Sequence, residues 1–282
     1  MRHVTASALL AGLVTGMASM VSMPAHAIIG GSAVGASDPL ARSSVLVVTG
    51  DANGCTGTLI GRRSVLTASH CVQGARVAVV AFIRGGRIVA LTPVLSASGH
   101  PGVRGPRGGN APIDVAVLTI RDLPPAGFGP ARVGGREPAP GSRVTIAGFG
   151  RQRLESMRSA GELRRVDLPV IQRSPSGYTA LGVPGLFETG RAPSACQGDS
   201  GGPALSGGSV VGVVSLVSGP TETRGCGFLT IAMPVVSIAP WIRGAIANGE
   251  SRAPANPRIA TLPPPRAPER EGLPPWARID RQ

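Results

Sequence analysis

The chain has 282 residues, 42% of them hydrophobic and 15% charged, with 28 basic against 15 acidic side chains for a net charge of +13. That apolar share is enough for a sizeable buried core, and the length suits one large domain or two small ones. Every basic residue is an arginine and aromatics are only 3% of the chain, so the charge carries no stacking surface of the kind that binds nucleic acid, and no nucleic-acid partner is expected.

In chain order, the first element is an export signal. Met1-Arg2-His3 is a short basic start, Val4 to Met23 is apolar without charge, and Ala25-His26-Ala27 supplies the small residues of an A-x-A cleavage site. Residues 1–27 are therefore predicted to leave, with cleavage after Ala27, and the mature chain is expected to be secreted, periplasmic or extracellular. Ser, Thr and Gly within the run argue against a retained anchor, so no stable membrane insertion is expected.

Short apolar runs punctuated by Gly, Pro, Asn and Ser follow. SSVLVV (43–48), RVAVVAFI (76–83), RIVALTPVL (87–95), DVAVLTI (114–120), RVTIAGF (143–149) and SVVGVVSLV (209–217) read as β-strands. The turn-rich stretch 122–141 reads as a connector between two halves. Only VVSIAPWIRGAIANG (235–249) reads as a helix, ending at Asn248-Gly249 in a C-cap pattern. The globular domain is thus expected over 28–248. The tail 249–282, with eight prolines, is expected to be disordered or polyproline-like. Many short strands with almost no helix imply an all-β sandwich or a pair of barrels. Four cysteines in an exported chain favour disulfides, with three possible pairings and no CxxC spacing for zinc.

Chemistry is concentrated in SACQGDSGGPAL (194–205). Glycines around Ser200 allow a tight turn with an exposed hydroxyl. A nucleophilic serine needs a base, and once His3 and His26 leave with the signal only His70 and His100 remain. His100 lies in a polar loop and reads as a solvated surface group, whereas His70 lies in VLTASHCV, where an apolar strand meets a small-residue turn. The base needs an orienting carboxylate. Asp114, at the mouth of the apolar run APIDVAVLTI, would be costly to ionise there unless it is paired.

The words IIGG, LTASHC, DVAVL, AGFG, GDSGGP and VGVVS, in this order, resemble the chymotrypsin-like serine peptidases of the trypsin fold. The resemblance covers 28 to about 248. It implies an all-β fold of two six-stranded antiparallel β-barrels with a C-terminal helix and the active site in the cleft between them. It also implies His70, Asp114 and Ser200 as the catalytic triad, with Gly198 and Ser200 N–H groups as the oxyanion hole. By matching position, Cys55 would pair with Cys71 and Cys196 with Cys226, and Ser215 would donate to Asp114. Substrates would be proteins or peptides; no cofactor and no metal is implied, and a monomer is expected. Departures from the family pattern include Ser69 in place of Ala, Phe149 in place of Trp, and Leu216 beside the substrate.

The same matching puts Ser194 at the base of the primary specificity pocket, where trypsin-like members carry Asp, and Val217 and Thr230 on its walls. Small aliphatic side chains before the scissile bond are the expectation, with a chymotrypsin-like preference as the alternative. A catalytically idle, basic binding protein on the same fold is a second alternative. Arg104, Arg107 and the five arginines of 150–165 suggest acidic substrates. Finally, the resemblance implies that a free Ile28 ammonium pairs with Asp199, so that signal removal itself would finish the protein.

Overall fold

The computed structural model describes residues 28–50, 54–104, 110–111, 113–150, 161–174, 178–189, 192–219 and 226–263. The expected signal over 1–27 lies outside these residues, as do Arg107, most of the arginine-rich loop 150–165, and the tail beyond 263.

A short strand β1 (Ser32–Ala33) precedes helix α1 (Pro39–Ser43), whose Asp38 cap accepts the Leu40 N–H at 2.9 Å. The first half then forms β2 (Ser44–Thr49), β3 (Gly54–Leu59), β4 (Ser64–Thr67), β5 (Ala78–Arg84), β6 (Arg87–Gly99), β7 (Val103–Arg104), β8 (Asn110–Ala111) and β9 (Ala116–Ile120). Strands β2-β3-β4-β9-β6-β5 close into an antiparallel barrel, and β7 pairs only with β8. The second half forms β10 (Arg143–Gly148), β11 (Arg164–Arg173), β12 (Thr179–Leu181), β13 (Pro203–Ser206), β14 (Ser209–Ser218) and β15 (Leu229–Pro234). These run in the order β11-β10-β13-β14-β15-β12, and a β11–β12 pairing closes the ring while β1 adds to the outside of β11. The architecture is therefore the two antiparallel six-stranded barrels that the resemblance implies.

Period-two alternation gives each strand two destinations. In the β4–β9 ladder, Val65 lies opposite Leu118 and Leu66 opposite Val117. Val65 and Leu118 fill the first barrel with Val45, Val47 and Phe82. Leu66 and Val117 turn outward into a separate apolar seam with Val210, Val213, Ile238 and Ile242 from the second half. The second barrel holds its own core of Val144, Ile146, Leu168, Leu181 and Val214. The seam matters for function because Ala68 and Val115, which flank His70 and Asp114, are part of it.

The C-terminal helix α2 spans Ala239–Arg252, so the expected stop at Asn248-Gly249 and the domain boundary at 248 need correction. Gly249 is inside the helix, where a Cβ would strike Thr119 Oγ1 of β9. It serves close packing, and its lack of a side chain mimics a stop signal. One residue on, Glu250 Oε1 accepts the Arg63 N–H at 3.0 Å and the Ser64 hydroxyl at 3.0 Å. The helix thus runs on because its last turn has partners on the first barrel. Residues 253–263 also pack: Ile259 bridges Leu123, Thr261 bridges Leu91, Arg63 Nη1 donates to Pro254 O at 3.0 Å, and Ala260 is buried in the first barrel's core. Proline-rich composition could not reveal this, since a strap needs only a few buried groups.

Gly249→Ala separates the two readings of that glycine. Helix propensity alone would raise stability by about 1 kcal/mol. The contact with Thr119 predicts instead a loss of about 1–3 kcal/mol from overpacking, partly restored by adding Thr119→Ala, which removes the oxygen in the way. Denaturant unfolding of the single and double variants reads the difference.

Candidate active site

Strand pairing places the first two residues. Thr67, at the end of β4, lies opposite Ala116, at the start of β9. A 3-10 turn (Ser69–Cys71) follows β4 at once, and Asp114 sits two residues before β9. The two side chains therefore project from the same rim of the first barrel. His70 Nδ1 lies 2.7 Å from Asp114 Oδ2, and the His70 backbone N–H donates to Asp114 Oδ1 at 2.9 Å. Their side chains are 42% and 21% exposed, so the imidazole edge remains open to solvent while the carboxylate is covered.

The second half supplies the other groups. Ser215 sits at a register shift in β14, between Val214 and Leu216. Such a bulge leaves one residue out of the ladder and re-aims its groups. Ser215 Oγ donates to Asp114 Oδ2 at 2.6 Å, and Ser215 O accepts the Ser200 hydroxyl at 3.3 Å. Burial works to raise the Asp114 pKa, but hydrogen bonds from the His70 ring, the Ser215 hydroxyl and the His70 N–H outweigh it and hold the carboxyl below its ordinary value. An ionised carboxylate only accepts, so His70 Nδ1 carries a proton, and the neutral form of the ring has its lone pair on Nε2. Cys71 Sγ is 3.8 Å from His70 Nε2 and 3.8 Å from Ser200 O, which places base and serine beside one sulfur.

The loop 198–202 holds Ser200 outward and Asp199 inward. Gly198 adopts φ 96°, and a Cβ there would lie 2.8 Å from Gly150 Cα. Gly201 N–H donates to Val214 O at 2.6 Å, and Gly202 O accepts the Val214 N–H at 2.8 Å, which fastens the loop to β14. Among the described residues, neither the Gly198 nor the Ser200 N–H has an acceptor. The N–H groups on either side of Asp199 in the chain are thus unspent. Asp199 has no solvent exposure; its oxygens accept the Gly150 N–H at 2.8 Å and the Cys196 N–H at 2.9 Å. Burial pushes its carboxyl up to about 7 despite those two donors. No cation pairs with it among the described residues.

Disulfides join Cys55 to Cys71 and Cys196 to Cys226. The Cys55 and Cys71 sulfurs and a His70 nitrogen lie within 4.8 Å of one another. Both sulfurs are spent in the bridge, so this trio is not a metal-ligand set. Ile28 is fully buried beside Ala195, with φ 52°, and Ile29 bridges Ser194. Ser194 is also fully buried: its hydroxyl accepts the Gly227 N–H at 2.7 Å and donates to Ala195 O at 2.9 Å. Thr230 lies opposite Val217 in the β14–β15 ladder, but it is fully buried and its hydroxyl accepts the Ala195 N–H at 2.8 Å. It exposes no surface, while Val217 opposite it is half-buried. Leu216 is 57% exposed.

Sequence reasoning missed Thr56, Gly150 and Gly227. Thr56, on β3, reaches across to the second half: its hydroxyl donates to Gly198 O at 2.8 Å and accepts the Phe149 N–H at 3.0 Å, while its own N–H donates to Ser200 O at 2.8 Å. Nothing local marks a threonine for this role.

A family model described as Trypsin matches residues 28–242. Trypsin Blo t 3 of Blomia tropicalis is 27% identical over 212 residues, covering 67% of this chain and 76% of that protein. A trypsin of Saccharopolyspora erythraea is 29% identical over 190 residues, covering 61% and 79%. Serine protease SP24D of Anopheles gambiae is 32% identical over 203 residues, covering 67% and 71%.

Thr56→Val keeps the shape but leaves Gly198 O and the Phe149 N–H without a side-chain partner. Each orphaned buried group costs about 1–3 kcal/mol, so this variant should unfold at clearly lower denaturant, and Thr56→Ser should not.

Proposed function

The chain belongs to the trypsin family of serine endopeptidases, and from that premise we propose that it is an exported endopeptidase working through His70, Asp114 and Ser200. The observation that carries this reading is the junction at Asp114, where the His70 ring and the Ser215 hydroxyl meet one carboxylate while Ser215 O receives the Ser200 hydroxyl. For reaction, Ser200 Oγ turns from Ser215 O toward His70 Nε2, gives up its proton there and bonds to the substrate carbonyl carbon. The resulting oxyanion takes the free Gly198 and Ser200 N–H groups, an arrangement in which one lost side-chain donor can cost about 3–4 kcal/mol of barrier. His70 then protonates the leaving amine. Water, deprotonated by the same ring, releases the acid and restores Ser200. Ser200→Ala should leave the fold intact and abolish both peptide cleavage and labelling by a fluorophosphonate. Wild-type protein that is folded yet unlabelled would favour the idle binding protein instead.

Several relatives carry the name trypsin, but this chain has Ser194 at the pocket base. Its hydroxyl is already spent on Gly227 N–H and Ala195 O, and neither Ser194 nor Thr230 exposes any surface. Ser194 brings no charge to the pocket base, which supports a preference for Ala or Val before the cut. A peptide panel should show those fastest. Phe or Tyr fastest would point to the chymotrypsin-like alternative, and Arg fastest would reject both. The preference for acidic substrates rests on Arg104, Arg107 and the 150–165 arginines, and it predicts that cleavage of acidic peptides weakens with added salt.

Export would also complete the site. A β-branched residue at φ 52° is strained while a carbonyl precedes it. Cleavage after Ala27 removes that carbonyl and leaves an ammonium on Ile28 to pair with Asp199. In the uncut chain the raised Asp199 pKa means the folded state binds the extra proton, so stability declines as pH rises from about 4 to about 7. In the cut chain the paired α-amino group has its pKa raised. Its contribution is full below about pH 7.7–8.0 and fades as pH climbs through the folded value. Scanning calorimetry of Ser200→Ala protein, cut and uncut, should show a gap that opens above about pH 4 and closes in alkali. A gap that does not vary with pH would remove the pairing.

A further inference from the structure

The sequence reads His100 as a solvated loop residue, but the structure gives it three attachments. Its backbone N–H donates to Val115 O at 2.9 Å. Its ring Nδ1 accepts the Gly102 N–H at 3.0 Å. The ring also meets Trp241 of α2 edge-on, with centroids 4.7 Å apart. Val115 O is itself a junction, because the Ser69 hydroxyl donates to it as well, at 3.4 Å. Ser69 is next to His70 in the chain, and Val115 is next to Asp114. One carbonyl therefore ties the end of β6 to both the turn that carries the base and the segment that carries the carboxylate.

We propose that His100 is a positioning residue: its neutral ring locks the 100–102 turn and α2 against Val115, which keeps Asp114 in register with His70, and its protonation loosens that register. This rests on the serine-peptidase reading above. The Gly102 N–H requires a lone pair on Nδ1, so the neutral ring carries its proton on Nε2. An imidazolium carries protons on both nitrogens, and two donors would then face each other at hydrogen-bonding distance. The ring would have to rotate, giving up Trp241 and Gly102 together.

On the described elements next to this ring, Arg243 is exposed on α2, Asp114 is engaged by His70 and Ser215, and Arg104 lies in β7. Burial alone lowers the His100 pKa. With the folded value below the unfolded one, the unfolded chain binds more protons in mild acid. The lock is therefore intact at neutral pH and weakens as pH falls below about 6.5.

Two variants and one direct measurement test this. His100→Phe keeps an aromatic ring on Trp241 but has no acceptor, and it should lower kcat about 10-fold at pH 8 with KM little changed, as a small misplacement of catalytic groups does. His100→Asn offers Oδ1 to the Gly102 N–H without titrating, and it should restore kcat. The wild type should also show an acid-side fall of about 10-fold beyond what a single protonation of His70 gives, and this step should vanish in His100→Asn. In Ser200→Ala protein, amide-exchange protection at His100 and Gly102 should drop between about pH 7 and 5 and stay constant in the His100→Asn background. Superimposable pH–rate profiles of wild type and His100→Asn, or protection insensitive to pH, would overturn the proposal. Absent cleavage with the exchange result as stated would count against the peptidase reading and leave the lock standing.

Discussion

A carboxylate that sees no water sets the terms for the active loop. Asp199 lies against Gly148 and Gly150, where any side chain would overlap it, and it takes one N–H from each side of the site. Bringing Asp199 in while sending its neighbour Ser200 out demands an abrupt turn. Gly198 at φ 96° supplies it. On the same turn the Gly198 and Ser200 N–H groups have no acceptor among the described residues. Burial of the carboxylate and the two unspent N–H groups beside it are thus consequences of a single backbone path. An unpaired buried carboxylate is expensive, which is why a cation arriving from the chain's own cut end would change both stability and order in this loop.

The second dependence is on the seam between barrels. Asp114 and His70 come from one barrel, Ser200 and Ser215 from the other, and their hydrogen bonds tolerate errors of only a few tenths of an ångström. An apolar seam of Leu66, Val117, Val213 and Ile242 provides that tolerance through close packing. Helix α2 follows the second barrel in sequence yet lies on β4 and β9 of the first, with Gly249 against Thr119 and Glu250 on Ser64. It acts as a clasp over the strands whose ends carry His70 and Asp114. Thr56 is the matching clasp on the other side, binding the Gly198–Ser200 backbone from β3.

Legibility followed the range of the interaction. GDSGGP is readable because the turn that carries Ser200 is made by neighbours in the chain. LTASHC and DVAVL are readable because each pairs an apolar strand with one polar residue at its end. Thr56 and Gly198 are 142 residues apart, and no local pattern reports a partner at that distance. Gly249 is the converse case: its local pattern signals a helix end, but its role is a contact with Thr119. The strands β3, β11, β12, β13 and β15 were not legible, since Gly, Thr, Pro or charged residues interrupt their apolar runs. Their neighbours in the barrels make them strands.

From sequence alone came the two-part β architecture, the candidates proposed as base, carboxylate and nucleophile, the pairing of four cysteines through family resemblance, and the absence of charge at Ser194. These are matters of residue chemistry and short-range pattern. Tertiary structure alone decided that Thr230 is fully buried, that Ser215 is aimed by a bulge, that His100 is wedged between Trp241 and the Asp114 segment, and that residues 253–263 are a strap on the first barrel. Each depends on which surfaces meet after both barrels close, and a contact between distant segments leaves no periodicity for the sequence to display.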